Sequence, residues 1–259
     1  MRAGKSTKAI SSVIAMIMLL AVISTAVSVI SVNLLPVMEK KAEIEHNRKL
    51  KDEFLDIVKV YSTSKSENRS FSLSLGKSKT LFGQSTSSTL SVRESGWMAI
   101  NLICNQTPID ENYRLFSLNL STHSPLLPSQ TIIFSEGGVI ERQDGTTIER
   151  LSPDIRVEFN NTSNTLFLTM HNLASLPVEV SGNGYILLRL GKSSSFKEYV
   201  NCTGSISIRD GVFGEEWERK MLELSGPFSV SNIPPTNILS IDAPVNVSLE
   251  IRNFEISLG

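Results

Sequence analysis

The sequence predicts a mainly β protein: an N-terminal long hydrophobic α-helix followed by an antiparallel β-sandwich-like extracellular domain with one short helix. Three observations predict it. Residues Ala9 to Met38 are 30 consecutive positions without a charge. Beyond Ser62, short runs alternate apolar and polar residues between turn-forming Gly, Asn, Asp, Ser and Thr. One stretch, GEEWERKMLELSG from Gly214, breaks that alternation with helical spacing.

The uncharged run is long enough for a membrane, since about 20 apolar helical residues cross a hydrocarbon core of about 30 Å. Arg2, Lys5 and Lys8 precede it and no acidic residue does. Such charges hold an N-terminus on the cytoplasmic side and send the remainder across. Pro36 should kink the helix, having no N–H to donate and a ring that crowds the preceding turn. From Glu39 to Tyr61 the pattern turns amphipathic. Ile44, Leu50, Phe54, Ile57, Val58 and Tyr61 share a face, and Glu45 and Lys49 stand in the favourable i,i+4 order. The chain thus divides into a basic leader (1–9), a helix (10–61) and a β-rich domain (62–259).

Within that domain, FSLSL, TLSV, WMAINLIC, LFSLNLS, QTIIF, VIERQ, IRVEF, TLFLTM, VEVSG, YILLRL, SISIR and VSLEIRNFEIS read as strands. Gln143-Asp144-Gly145 reads as a hairpin turn. In the short helix Trp217, Met221 and Leu224 share one side, and Gly226 is placed to cap its C-terminus.

Chemistry-bearing motifs are scarce. His46, His123 and His171 lie far apart and form no ligand spacing with Cys, Asp or Glu. Phosphate loops, dinucleotide fingerprints and nucleophile elbows are missing. No cofactor or enzymatic activity is expected, although a carboxylate pair assembled only in space would leave no trace in the sequence. Trp97 and Trp217 read as core residues. The net charge of −1 becomes −4 once the leader and its three basic residues are removed, so nucleic acid is not an expected partner.

Two features fit an exterior location. Asn-x-Ser/Thr sequons begin at Asn68, Asn105, Asn119, Asn160, Asn161, Asn201 and Asn246. The cysteines, Cys104 and Cys202, suit either a disulfide or two buried thiols. Each adjoins a sequon asparagine, so on strands both sulfurs would face inward and both asparagines outward.

Lys8-Ala9-Ile10-Ser11-Ser12-Val13-Ile14-Ala15 resembles the N-terminus of archaeal type IV pilins and related pilin-like surface proteins. The resemblance implies cleavage by a prepilin peptidase between Ala9 and Ile10. The leader would be removed and the hydrophobic helix kept, resting in the membrane and packing against other pilin-like subunits. Ser12 stands where that family often has Pro, Ala9 where Gly is commoner, and Ile14 where bacterial type IV pilins carry Glu. The stretch Glu136 to Phe159 is similar to a Gly-Gly-centred hairpin of archaeal pilin-like exported proteins. Major pilins are commonly compact, so a domain spanning 62–259 points toward a minor pilin or an anchored surface or adhesion subunit. The alternatives are an uncleaved single-pass ectodomain binding a surface polymer or S-layer component, and a cell-surface hydrolase. A conventional signal cut near Ser24-Thr25-Ala26 would leave the apolar residues beyond it on a secreted product.

Overall fold

The computed structural model describes residues 6–63, 69–77, 86–124, 126–174, 178–182 and 184–258. Helix α1 (Ser6–Val29) passes through one π-helical segment (Ile30–Leu34) into α2 (Leu35–Thr63). The widened segment ends just before Pro36, which is where a missing N–H and a crowding ring must be absorbed. The helix continues, so the proline disturbs it locally and does not end it. Lys49 is ion-paired forward with Glu53, at 3.8 Å.

The strands are β1 (Arg69–Ser74), β2 (Gly76–Lys77), β3 (Thr86–Cys104), β4 (Thr107–His123), β5 (Gln130–Ser135), β6 (Gly138–Gln143), β7 (Thr146–Leu151), β8 (Arg156–Asn160), β9 (Thr165–Ala174), β10 (Val178–Gly182), β11 (Tyr185–Asp210), β12 (Phe228–Ile233) and β13 (Thr236–Leu258); helix α3 (Gly214–Leu222) follows β11. They form one mixed sheet along the path β7-β6-β5-β4-β3-β11-β13-β9-β8, with β1 on β11, β2 and β10 on β3, and β12 on β13. All pairs are antiparallel except β9 with β13, which run parallel. The antiparallel expectation therefore needs that correction.

Several predicted runs merge. TLSV and WMAINLIC belong to β3, and YILLRL and SISIR to β11. Strands β7 and β12 went unforeseen because nearly every residue in them is partly or fully exposed, which leaves no buried face for alternation to reveal. The Asp144-Gly145 turn joins β6 to β7 with φ of 49° and 78°, the positive pair a two-residue type I′ loop requires. Helix α3 ends earlier than Gly226, with Glu223 in right-handed conformation at its C-cap. Trp217 is fully buried beneath α3, whereas Trp97 is only half-buried on β3.

Two apolar clusters lie on opposite faces of the sheet. On β4, Leu118 and Leu120 join the cluster that receives α2, while Leu115 joins the cluster beneath α3. Odd and even positions of one strand point opposite ways, so these cores cannot share a face. On β3 both clusters draw on even positions, Leu90 and Val92 for one and Met98, Ile100 and Leu102 for the other. A bulge between Glu94 and Gly96 makes that switch, adding one residue relative to β4. At Gly96 the neighbouring strand comes so close that a Cβ would stand 1.8 Å from the Arg209 carbonyl oxygen.

Candidate functional site

The N-terminal half of the helix is uncovered. Residues 13–34 are all exposed, and the helix is long and apolar enough to cross a membrane. Two of its polar side chains turn inward on their own backbone: Thr25 Oγ1 donates to the Ala21 carbonyl at 2.7 Å, and Asn33 Nδ2 to the Val29 carbonyl at 3.1 Å. Such back-bonding leaves the surface apolar. The Ala9–Ile10 bond lies within the first turns of α1.

The other half is fixed to the domain. Leu50, Phe54, Ile57 and Val58 are buried against Leu73, Leu90, Leu118, Leu120, Phe134 and Leu188. Ile44, expected on this face, is half exposed, since the domain begins to cover the helix only near Glu43. Ser124 donates to Glu43 at that point, beside the end of β4. One turn before Phe54, Lys51 reaches the nearly buried Glu141 at 2.5 Å; Arg150 Nε donates to the same carboxylate at 2.6 Å, and Gln130 also donates to it. Burial alone would raise the Glu141 carboxyl, but the hydrogen bonds from Arg150 and Lys51, with their charges, bring it below its ordinary value. Polar contacts at Glu43 and Lys51 thus clasp the helix to the domain beside its apolar contact.

At the opposite end of β3, a contour of about 60 Å at roughly 3.3 Å per residue, Cys104 and Cys202 stand directly opposite in register and are disulfide-bonded. Both are buried while Asn105 and Asn201 are exposed. Asn201 Nδ2 donates to Asn105 Oδ1 at 3.2 Å, and the Asn201 N–H to Asn246 Oδ1 at 3.1 Å. The Asn246 N–H in turn reaches the carbonyl of Asn164, which closes the turn holding Asn160 and Asn161. Five of the seven sequons thus meet at one tip. Asn119 lies elsewhere, in the middle of β4 with its Oδ1 buried, and Asn68 falls outside the described residues.

A polar cluster not visible in the sequence joins the buried Glu136, Asp210 and His171 to the exposed Asp154. Glu136, in the two-residue turn between β5 and β6, is 2% exposed and Asp210 is 6% exposed. Glu136 Oε2 accepts the His171 N–H at 3.0 Å, and Asp210 Oδ1 accepts the Val212 N–H at 2.9 Å. Their remaining oxygens, Glu136 Oε1 and Asp210 Oδ2, are buried without a hydrogen-bond partner among the described residues. Burial lifts the Glu136 carboxyl well above its ordinary value, and the Asp210 charge adds to it. His171 stacks on Phe254 at 5.6 Å and its Nε2 lies 3.2 Å from the Asp154 carbonyl oxygen. Arg252 bonds Asp154 and Glu250. Separations of tens of residues hid these neighbours; the only local signals were the turn glycines beside Glu136 and Asp210.

Asp210 borders a cleft of about 850 Å³ between α3, the β6–β7 hairpin and the Pro234-Pro235 turn. Glu136 does not line it, so only one carboxyl of the pair borders this cleft. Among the described residues, no three His, Cys, Asp or Glu side chains are grouped to hold a metal ion. No protein-family model matches the chain, nor does any curated protein or solved structure.

Proposed function

We propose that the protein is an archaeal pilin-like surface protein, a minor pilin or membrane-anchored adhesion subunit with a non-catalytic role. Prepilin peptidase would remove residues 1–9 and leave Ile10 as the new N-terminus. The reading rests on one observation above the rest: a single helical rod whose first half is bare and apolar and whose second half is clasped to the β domain. A discarded export signal has no need of such a junction. A retained helix does, because force or position transmitted through the membrane half must reach the displayed domain. Ala21, Thr25 and Ala26 line a shallow groove on α1 with Met18, Val22, Val29 and Ile30, and small residues of this kind allow close helix approach. The partners would be the membrane, the peptidase and other pilin-like subunits, with the β domain outside the cell.

N-terminal sequencing and intact mass of the membrane-extracted protein test the cleavage. A start at Ile10 supports it. A start at Met1 leaves an uncleaved anchor, and a start near Val27 overturns both. Cross-linking through α1 tests assembly, and recovery of monomer alone refutes the filament role.

A further inference from the structure

The tip sequons are chemically unequal. Glycosyl transfer to asparagine joins the amide Nδ2 to a sugar, and the acceptor triplet must be reachable as a piece of open chain. At Asn105, all three residues through Thr107 are exposed, and the asparagine sits in the two-residue loop joining β3 to β4. Its Oδ1 faces inward to Asn201, while its Nδ2 has no partner among the described residues. Residues 160–163, which hold both sequons of the β8–β9 turn, are likewise exposed throughout. There Asn160 Oδ1 caps the Thr162 and Ser163 N–H groups, which leaves its Nδ2 outward.

The remaining described sequons are built into the sheet. Asn119 is half-buried in β4, followed by the fully buried Leu120, and paired with strands on both sides. Asn246 is half-buried between Val245 and Val247, with Nδ2 directed to the Ser163 carbonyl at 3.5 Å. Asn201 is exposed, but its Nδ2 is bonded to Asn105 and the middle residue of its triplet is Cys202, wholly buried in the disulfide. A sugar transferred to Asn119 before folding would have to be carried into the sheet, so early transfer selects against it as well.

We propose that the tip is an N-glycan acceptor surface, modified at Asn105 and at the Asn160–Asn161 turn and left bare at Asn119, Asn201 and Asn246. Asn201 and Asn246 then act as hydrogen-bonding posts that hold the modified turns. Glycosylated Asn105 retains Oδ1, so its bond to Asn201 survives the modification. The far end of the domain is thus covered by sugar, and contact with a surface falls to the glycan or to the flanks. The proposal rests on the extracellular placement of the domain, and not on peptidase cleavage or filament assembly.

The test is glycopeptide mass spectrometry on the full chain purified from its native membranes, reduced and digested with trypsin. The sequence separates the sites: Asn105 falls in peptide 94–114, Asn119 in 115–142, Asn160 and Asn161 in 157–189, Asn201 in 198–209 and Asn246 in 221–252. Sugar mass on 94–114 and 157–189, with the other three peptides unmodified, is the expected result. Intact mass of N105Q should fall by one glycan, while N119Q should change only by the substitution itself. Bare 94–114 and 157–189 peptides, or sugar on 115–142, 198–209 or 221–252, overturn the proposal. The N-terminal residue read from the same sample reports peptidase cleavage separately, so the two readings can fail independently.

Discussion

Replacing Asp210 with Asn should stabilise the protein near neutral pH and leave it unchanged in acid. Burial raises the Asp210 carboxyl from 3.8 to about 6, with the Val212 and Phe213 N–H groups pulling the other way. An acid whose value is higher folded than unfolded holds its proton more tightly in the folded state. Its favourable contribution is full below pH 3.8 and is lost as pH rises through about 6. A displacement of about 2 units at roughly 1.4 kcal/mol each is worth about 3 kcal/mol, which the ionised folded protein forgoes at neutral pH. Asn keeps an oxygen for the Val212 N–H and carries no charge. The assay is urea denaturation of the full chain in detergent, followed by tryptophan fluorescence at about pH 7.5 and about pH 4. Other carboxylates titrate alike in both proteins, so the difference between them is the readout. The variant should be more stable by up to about 3 kcal/mol at the higher pH, closing to near zero at the lower. A variant no more stable than wild type at about pH 7.5, or an advantage that persists at about pH 4, would refute the reasoning.

Four further perturbations address the clasp, the core, the sheet and the tip. Glu141→Ala leaves Lys51 and Arg150 without their shared carboxylate and should cost about 3 kcal/mol in the same denaturation assay; because its carboxyl is lowered from 4.5 when folded, the wild-type contribution should fade as pH drops below that value. Phe54→Ala empties a fully buried site and should cost about 3 to 5 kcal/mol, and hydrogen exchange at residues 50–58 should accelerate more than at β11. Gly96→Ala places a methyl group against the Arg209 carbonyl, so the variant should be recovered largely unfolded by far-UV circular dichroism. Cys104→Ser with Cys202→Ser opens a loop of sequence separation 98, and a loss of about 4 to 5 kcal/mol is expected from chain entropy; unchanged stability would mean that the reduced chain keeps the tip closed by hydrogen bonds alone.

The sequence by itself determined whatever depends on neighbours in the chain. The uncharged run before Met38 shows the apolar helix, because membrane-compatible length and lack of charge are local properties. Trp217 and Met221 mark α3, and Asp144-Gly145 marks its turn, because helical period and positive φ are written within a few residues. The alternation of β3 and β11 shows strand, but not that each is one long strand, since a polar break and a chain bend look alike in one dimension. Tertiary structure decided the rest. The bulge at Ser95 moves the buried side of β3 from one core to the other, and a register shift is a relation between two strands. Glu136 and Asp210 become neighbours only when the β5–β6 turn meets the start of α3, and their proton affinities follow from burial that no single segment possesses. The sequons were all legible as triplets. Which of them faces solvent with a free amide was not, because that depends on the strands paired beside each one.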